Sequence, residues 1–180
     1  MTSRNVPALI NLAWLPVANW DGAADSLEAQ AMQVFSHANE FNGDLDDIVA
    51  IVLADPIYGP LFEGAFGAQT VTIDLIAKAI AQFERSLVSF NSKYDQVFLG
   101  QASYTESELR GRLLFYTEAA DCFHCHGNKL FTDNQFNNNG LDSTFSDLGL
   151  GGLTGEAADM GLFKTPTLRN LAYSAPYMHD

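Results

Sequence analysis

The two cysteines of this 180-residue chain lie three positions apart, in the stretch D-C-F-H-C-H-G from Asp121 to Gly127. No disulfide can therefore tie distant segments together. A Cys122–Cys125 bond would close a loop too small to stabilise much. Stability has to come from a core, and the chain is long enough to bury one in a single ordinary domain or two small ones. Its 47% hydrophobic and 17% charged residues suit a globular protein, not a disordered one.

The pattern along the chain is helical. Asp25-x-x-Glu28 reads as a helix start, running through Gln30 and Met32 toward Phe35. Asp44 is placed to cap Leu45 to Ala54, with Asp46 and Asp47 in the first turn and Pro56 ending it. Over Val71 to Phe90 the residues Ile73, Ile76, Ile80, Phe83, Leu87 and Phe90 step by three and four and predict one buried stripe. Asn91-Ser92-Lys93 interrupts that pattern, and a domain boundary is expected near residues 91–104. Thr105-x-x-Glu108 forms a capping box for a helix through Leu109, Leu113, Leu114 and Phe115, which leads into Cys122. Beyond Gly127 the periodicity stops, and nothing strand-like dominates. The expected class is mainly α, with long irregular loops.

Three roles compete for the thiols. A thioredoxin-like redox pair needs a βαβ setting, but a helix precedes this pair and no strand signal follows it. Structural zinc wants a fourth ligand, and His124 and His126 are too close together for both to share a tetrahedron with Cys122 and Cys125. His37 and His179 are distant. Covalent attachment of a c-type haem is left as the favoured reading of C-x-x-C-H. Two cysteines on one turn reach the porphyrin vinyl groups as thioethers, and the next residue, His126, turns its imidazole toward the iron. His124 is expected to be a spacer that faces outward or bonds a propionate.

Longer stretches point the same way. C-F-H-C-H-G-N-K-L-F-T-D, then F-N-N-N-G-L-D and F-K-T-P-T-L-R-N-L-A-Y-S-A-P-Y-M-H-D, resemble the bacterial di-haem cytochrome c peroxidase family, which includes the methylamine-dehydrogenase maturation enzyme. S-R-N-V-P-A-L-I-N-L-A-W, N-W-D-G, S-L-E-A-Q-A and A-I-A-Q-F-E-R-S-L-V-S-F-N-S are similar to the stretch between that family's two haem motifs. The resemblance implies two cytochrome c-like domains. Residues 1–95 correspond to the N-terminal, peroxidatic domain without its haem motif, and residues 96–180 to the C-terminal domain with C-x-x-C-H. It implies Cys122 and Cys125 as thioether anchors of the higher-potential haem and His126 as its proximal ligand. Trp20 aligns with the tryptophan that relays electrons between the haems. Gln30 and Glu40 align with the polar pair of the peroxide pocket, Glu40 as acid–base group. Asn5, with the carbonyls of Ser174 and Pro176, aligns with a calcium site.

The implied activity is reduction of hydrogen peroxide to water by electrons from a small cytochrome c or cupredoxin, in the periplasm, by a protein that forms homodimers in much of the family. The alternatives are a monohaem electron carrier without catalysis, a di-haem oxidase of a protein substrate, and a haemless zinc-stabilised domain. The sequence departs from the family pattern in three places. The first C-x-x-C-H is absent, Ala24 stands where an arginine is more usual, and the distal-ligand position of the second haem should lie beyond Asp180, which disfavours Met178 and His179 as substitutes. The polypeptide is accordingly expected to be a piece of a longer reading frame, and Met1 to Asn5 show no apolar leader core. The net charge of −13 argues against a nucleic-acid partner and suits a basic protein partner. No apolar run reaches membrane-spanning length.

Overall fold

The computed structural model describes residues 4–67 and 70–178. His179, disfavoured by sequence as a distal ligand, lies outside these residues. The helices in chain order are α1 (Leu27–Ser36), α2 (Leu45–Ala54), α3 (Tyr58–Phe66), α4 (Ile73–Ser86), α5 (Lys93–Phe98), α6 (Glu106–Phe115), α7 (Phe123–His126) and α8 (Gly151–Thr154). Two-residue strands β1 (Phe136–Asn137) and β2 (Phe163–Lys164) pair antiparallel, with Phe136 opposite Lys164. The mainly α class is thus as expected. No single helix among the described residues is long and apolar enough to cross a membrane.

Caps set the helix starts. Asp44 Oδ1 accepts from the backbone N–H groups of Asp46 and Asp47, as expected for α2. Thr105 and Glu108 close their capping box on α6. At α1 the cap is Ser26, not Asp25: Ser26 Oγ accepts from Ala29 N, while Asp25 accepts from the Ser26 hydroxyl. Ser92 and Asp95 form a second capping box, so the interruption at Asn91 to Lys93 is also the start of α5. That short helix carries no apolar repeat that sequence periodicity could find.

α1 and α2 both pack on α4. One apolar cluster joins Ala18, Ala24, Leu27 and Ala81; another joins Phe62, Val71 and Ile76, with Ile48, Val49 and Val52 of α2 against it. The α4 stripe is rotated from its expected position. Ile76, Ala77, Ala81 and Glu84 are buried, whereas Phe83 is 64% exposed. Small alanines let α4 approach α1 closely, which turns the bulky Phe83 outward and draws Glu84 in. Burial pushes the Glu84 carboxyl up from its ordinary value. Asn11 ties the far end of α4 to the N-terminal segment: its side chain pairs with both backbone groups of Ser89, and its N–H donates to Leu87 O.

The chain after α6 folds through polar contacts. Thr132 Oγ1 donates to Thr165 O at 2.6 Å and Thr167 Oγ1 to Leu130 O at 2.5 Å. Asn137 Nδ2 reaches Thr165 Oγ1, and Thr165 N donates to Gln135 O. The segments 130–137 and 163–168 are thereby zipped together beside α7.

Candidate haem-binding site

α7 is one helical turn capped by Cys122 and ending at His126, whose N–H donates to Cys122 O at 3.0 Å. Asp121, at φ 57, turns the chain sharply into it. Gly127 follows because a β-carbon there would sit 2.3 Å from Phe123 O. Both thiols are free and half-buried. Burial, with Asp133 and Asp121 nearby, pushes the Cys125 thiol up from its ordinary value.

His126 is oriented from behind. Its Nδ1 lies 2.7 Å from Phe131 O, which requires the proton on Nδ1 and leaves Nε2 as a free lone-pair donor. That carbonyl belongs to a phenylalanine at φ 53, a left-handed conformation that costs a bulky residue about 1–3 kcal/mol. Leu168 N also donates to Phe131 O, and Tyr94 and Phe115 pack edge-on against the Phe131 ring at 4.8 and 6.1 Å between centroids.

Cys125 and His126 open onto a cavity of about 1060 Å³. This reaches the upper end of the roughly 300–1,000 Å³ common for ligand pockets. Leu9, Leu12, Leu15, Leu130, Phe163 and Leu168 contribute apolar walls. The Cys125 and His126 donors and the room therefore fit a haem; Cys122, which caps the same turn, is not among the cavity residues. Trp20 and Gln30, from the first half of the chain, line the same space, as do Asn5, Ser174, Pro176 and Met178. Trp20 is fixed at both ends: its indole N–H donates to Asn5 O at 2.8 Å, and its carbonyl accepts from Lys164 N at 2.7 Å.

Glu40 is not among the cavity residues. It is exposed on the turn after α1, where its N–H donates to His37 O. His124 is exposed too and points Nδ1 at Asp121 Oδ1, 2.5 Å away. Among the described residues the metal-type donors that converge are Glu118, Asp121 and His124, a group that includes neither thiol. Asn5 Nδ2 faces Pro176 O and, at 3.5 Å, Met178 O. Turning that amide over would aim Oδ1 at the same carbonyls, an all-oxygen face of the kind a hard cation takes.

Two buried cations had no role by sequence although both stand in F-K-T-P-T-L-R; Lys164 lines the cavity, and Arg169 is not among its residues. Lys164 Nζ donates to Val17 O at 2.6 Å, and burial pushes its ammonium down to about 8. Arg169 is 5% exposed and forms a two-pronged bond with Asp95. The available signal was a basic residue set among apolar and β-branched neighbours, where a charge has to find a partner.

With this geometry in place, the comparisons with known proteins are specific. A family model described as di-haem cytochrome c peroxidase matches residues 1–103. The chain belongs to the di-haem cytochrome c peroxidase family. Membership makes it a haem c protein. Methylamine utilization protein MauG of Methylorubrum extorquens is 38% identical over 98% of the chain and 51% of its own length. Cytochrome c551 peroxidase of Nitrosomonas europaea is 33% identical over 98% of the chain and 54% of its own length. A solved MauG-like protein associated with microbial copper homeostasis matches with a TM-score of 0.92 at 34% identity, over 99% of this chain and 59% of that one. The chain thus spans about half the length of the curated relatives it matches.

Proposed function

We propose that this chain forms the electron-receiving half, and part of the peroxide-reducing half, of a periplasmic di-haem peroxidase. Hydrogen peroxide is the acceptor, and a reduced small cytochrome c or cupredoxin is the donor. Residues 1–95 and 96–180 are its two cytochrome c-like units. The observation that carries the reading is the shared cavity, which places Cys125 and His126 against Trp20 and Gln30.

When bound, the haem supplies one-electron chemistry at its iron. The chain supplies the rest. Cys122 and Cys125 hold the group by thioether bonds, and His126 presents Nε2 because Nδ1–H is committed to Phe131 O. Trp20 lies in the wall between the halves, with its indole fixed by Asn5 O, and serves as the relay. Gln30 offers an amide to the peroxide side of the cavity. Glu40 takes the proton from one peroxide oxygen and delivers it to the other. Its exposed position requires that the peroxide pocket be completed around it by further chain. Asn5, with the carbonyls of Ser174 and Pro176, is the calcium site proposed between the units. Homodimer formation belongs to the same proposal.

A second reading, oxidation of a protein substrate, is favoured by the 38% identity to MauG against 33% to the c551 peroxidase. The deciding experiment counts haem c per chain by pyridine haemochrome on the intact gene product, made in a host that attaches haem. It then measures peroxide consumption with reduced cytochrome c. Two haems and a turnover abolished by Glu40→Gln are expected. A single haem without turnover would leave an electron carrier and overturn the peroxidase reading; two haems with negligible turnover on small donors would favour the protein-oxidising one.

A further inference from the structure

We propose that Arg169, held by Asp95, is the positioning residue that sets how strongly His126 donates to the haem iron. The inference rests on the reading that His126 is the iron ligand. It assigns that ligand's tuning to a pair far from it in sequence.

His126 Nδ1–H donates to Phe131 O, so the position of that carbonyl fixes the ring's rotation and its basicity. Phe131 holds a left-handed backbone that its side chain disfavours, and such a conformation persists only where the surroundings over-determine it. Arg169 supplies much of that restraint. Its Nε and Nη2 both donate to Lys129 O, at 2.9 and 2.6 Å, two residues before Phe131. Its guanidinium carbon lies 5.5 Å from the centroid of the Phe131 ring and 4.3 Å from that of Phe90. The residue before it, Leu168, gives its N–H to Phe131 O itself.

Asp95 locks the guanidinium in turn. Its Oδ2 and Oδ1 accept from Nη1 and Nη2 at 2.8 and 2.7 Å, and Oδ2 also accepts from Ser92 N and Oγ. Nη2 is thereby shared between Asp95 and Lys129 O, while Nε is left to Lys129 O. A planar fork can hold a carboxylate and a carbonyl at once; a lysine ammonium cannot reproduce that geometry. Asp95 sits at the start of α5, next to Tyr94, whose ring packs edge-on against Phe131. Any shift of α5 against the 165–169 segment therefore reaches the His126 imidazole through the Asp95 carboxylate and the Tyr94 ring.

Loosening the fork should lengthen the Nδ1–H···O bond, make the imidazole a weaker donor and stabilise ferrous over ferric iron. The test uses the intact haem-loaded protein and the variants Arg169→Lys, Arg169→Gln and Asp95→Asn, with Arg85→Gln as control. Arg85 pairs with Glu28 on α1, remote from the loop, so that variant loses an ion pair without touching Phe131. The readouts are haem content, the midpoint potential of the haem on Cys122 and Cys125, and its ferric low-spin electron paramagnetic resonance signal.

The expected result is unchanged haem content with a raised midpoint potential in all three variants. At a fixed poise the ferrous-to-ferric ratio should rise by about threefold or more, a change that a one-electron potential reads directly. The control should keep the wild-type potential. Wild-type potential and resonance signal in Arg169→Lys and Asp95→Asn, with haem fully attached, would overturn the assignment. If Arg169→Gln fails to accumulate, Asp95→Asn, which keeps size and shape, decides on the same readout. A wild-type protein whose haem has no histidine at His126 would sink the underlying site reading, and the spectrum of the unmutated protein shows that separately.

Discussion

Around Phe62, Val71 and Ile76 the chain is held by apolar side chains on helices, whereas around His126 it is held by polar side chains on loop carbonyls. The first arrangement depends on volume and tolerates exchange of similar shapes. The second depends on individual donors and acceptors, each expensive to leave unpaired in a buried setting. The proposed role of His126 would need an orientation fixed to a fraction of an ångström, and the bond from its Nδ1–H to the carbonyl of Phe131 supplies such a restraint. The chain around His126 is irregular because bonds to single carbonyls, not an apolar repeat, hold it.

The largest effect expected is all-or-none. Cys122→Ser with Cys125→Ser should abolish haem that survives a denaturing gel, read by peroxidase stain, while the circular dichroism signal of α1 to α4 persists. Haem retained covalently by the double variant would break the division between the two regions at its root.

Arg169→Met leaves the Asp95 carboxylate buried without its partner and should cost roughly 3–5 kcal/mol in a urea titration of the haem-loaded chain. Ile76→Val, in the apolar cluster, should cost only about 0.5–1.5 kcal/mol. The pair's contribution should also last into strong acid. The Arg169 guanidinium, with Ser92, holds the Asp95 carboxyl well below its ordinary value. A depressed carboxylate stabilises above its unfolded value, and that stability disappears only as pH falls through the lowered folded one.

The same contrast decides how much of the structure the sequence disclosed. The capping box at Thr105 and the N-cap at Asp44 were legible because a cap is a local event, settled within three or four residues. So was α7, since C-x-x-C-H has a fixed spacing. Phe83 was misassigned because an apolar stripe says which residues are alike, not which neighbour comes closest; alanines at 77 and 81 took the contact instead. Arg169 and Lys164 stayed without roles because their partners, Asp95 and Val17 O, lie 74 and 147 residues away. The placement of Trp20 in one cavity with His126 was legible only through the family resemblance. Glu40 shows the limit of that route, for its alignment names a role while its carboxylate stands exposed, away from the cavity residues.

Lys164 offers a test of intermediate size. Burial pushes its ammonium down from 10.5 to about 8, with Asp21 opposing. Between those values the folded chain binds fewer protons than the unfolded one, so stability gains as pH rises through that window. Melting temperatures of the wild type relative to Lys164→Met, taken in steps from pH 7.5 to 10.5 (about the span of the two ordinary and shifted values), should show the wild type improving against the variant. A constant difference would mean that the hydrogen bond to Val17 O keeps the ammonium charged throughout, and that Lys164 belongs with the fully satisfied groups of the loop region.

The smallest effect expected is on the outward face of α2. Ile51 is 69% exposed, although Ile48, Val49 and Val52 on the same helix pack against the Phe62 cluster. Removing apolar surface that already meets water forfeits no burial, so Ile51→Ser should change the unfolding free energy of this chain by no more than about 0.5 kcal/mol. In the intact protein the same substitution asks a different question. A cost of about 1 kcal/mol or more there, against none in the chain described, would show that further polypeptide covers α2. The apolar region would then be set by contacts the sequence does not contain, while the loop around His126 carries its own determinants.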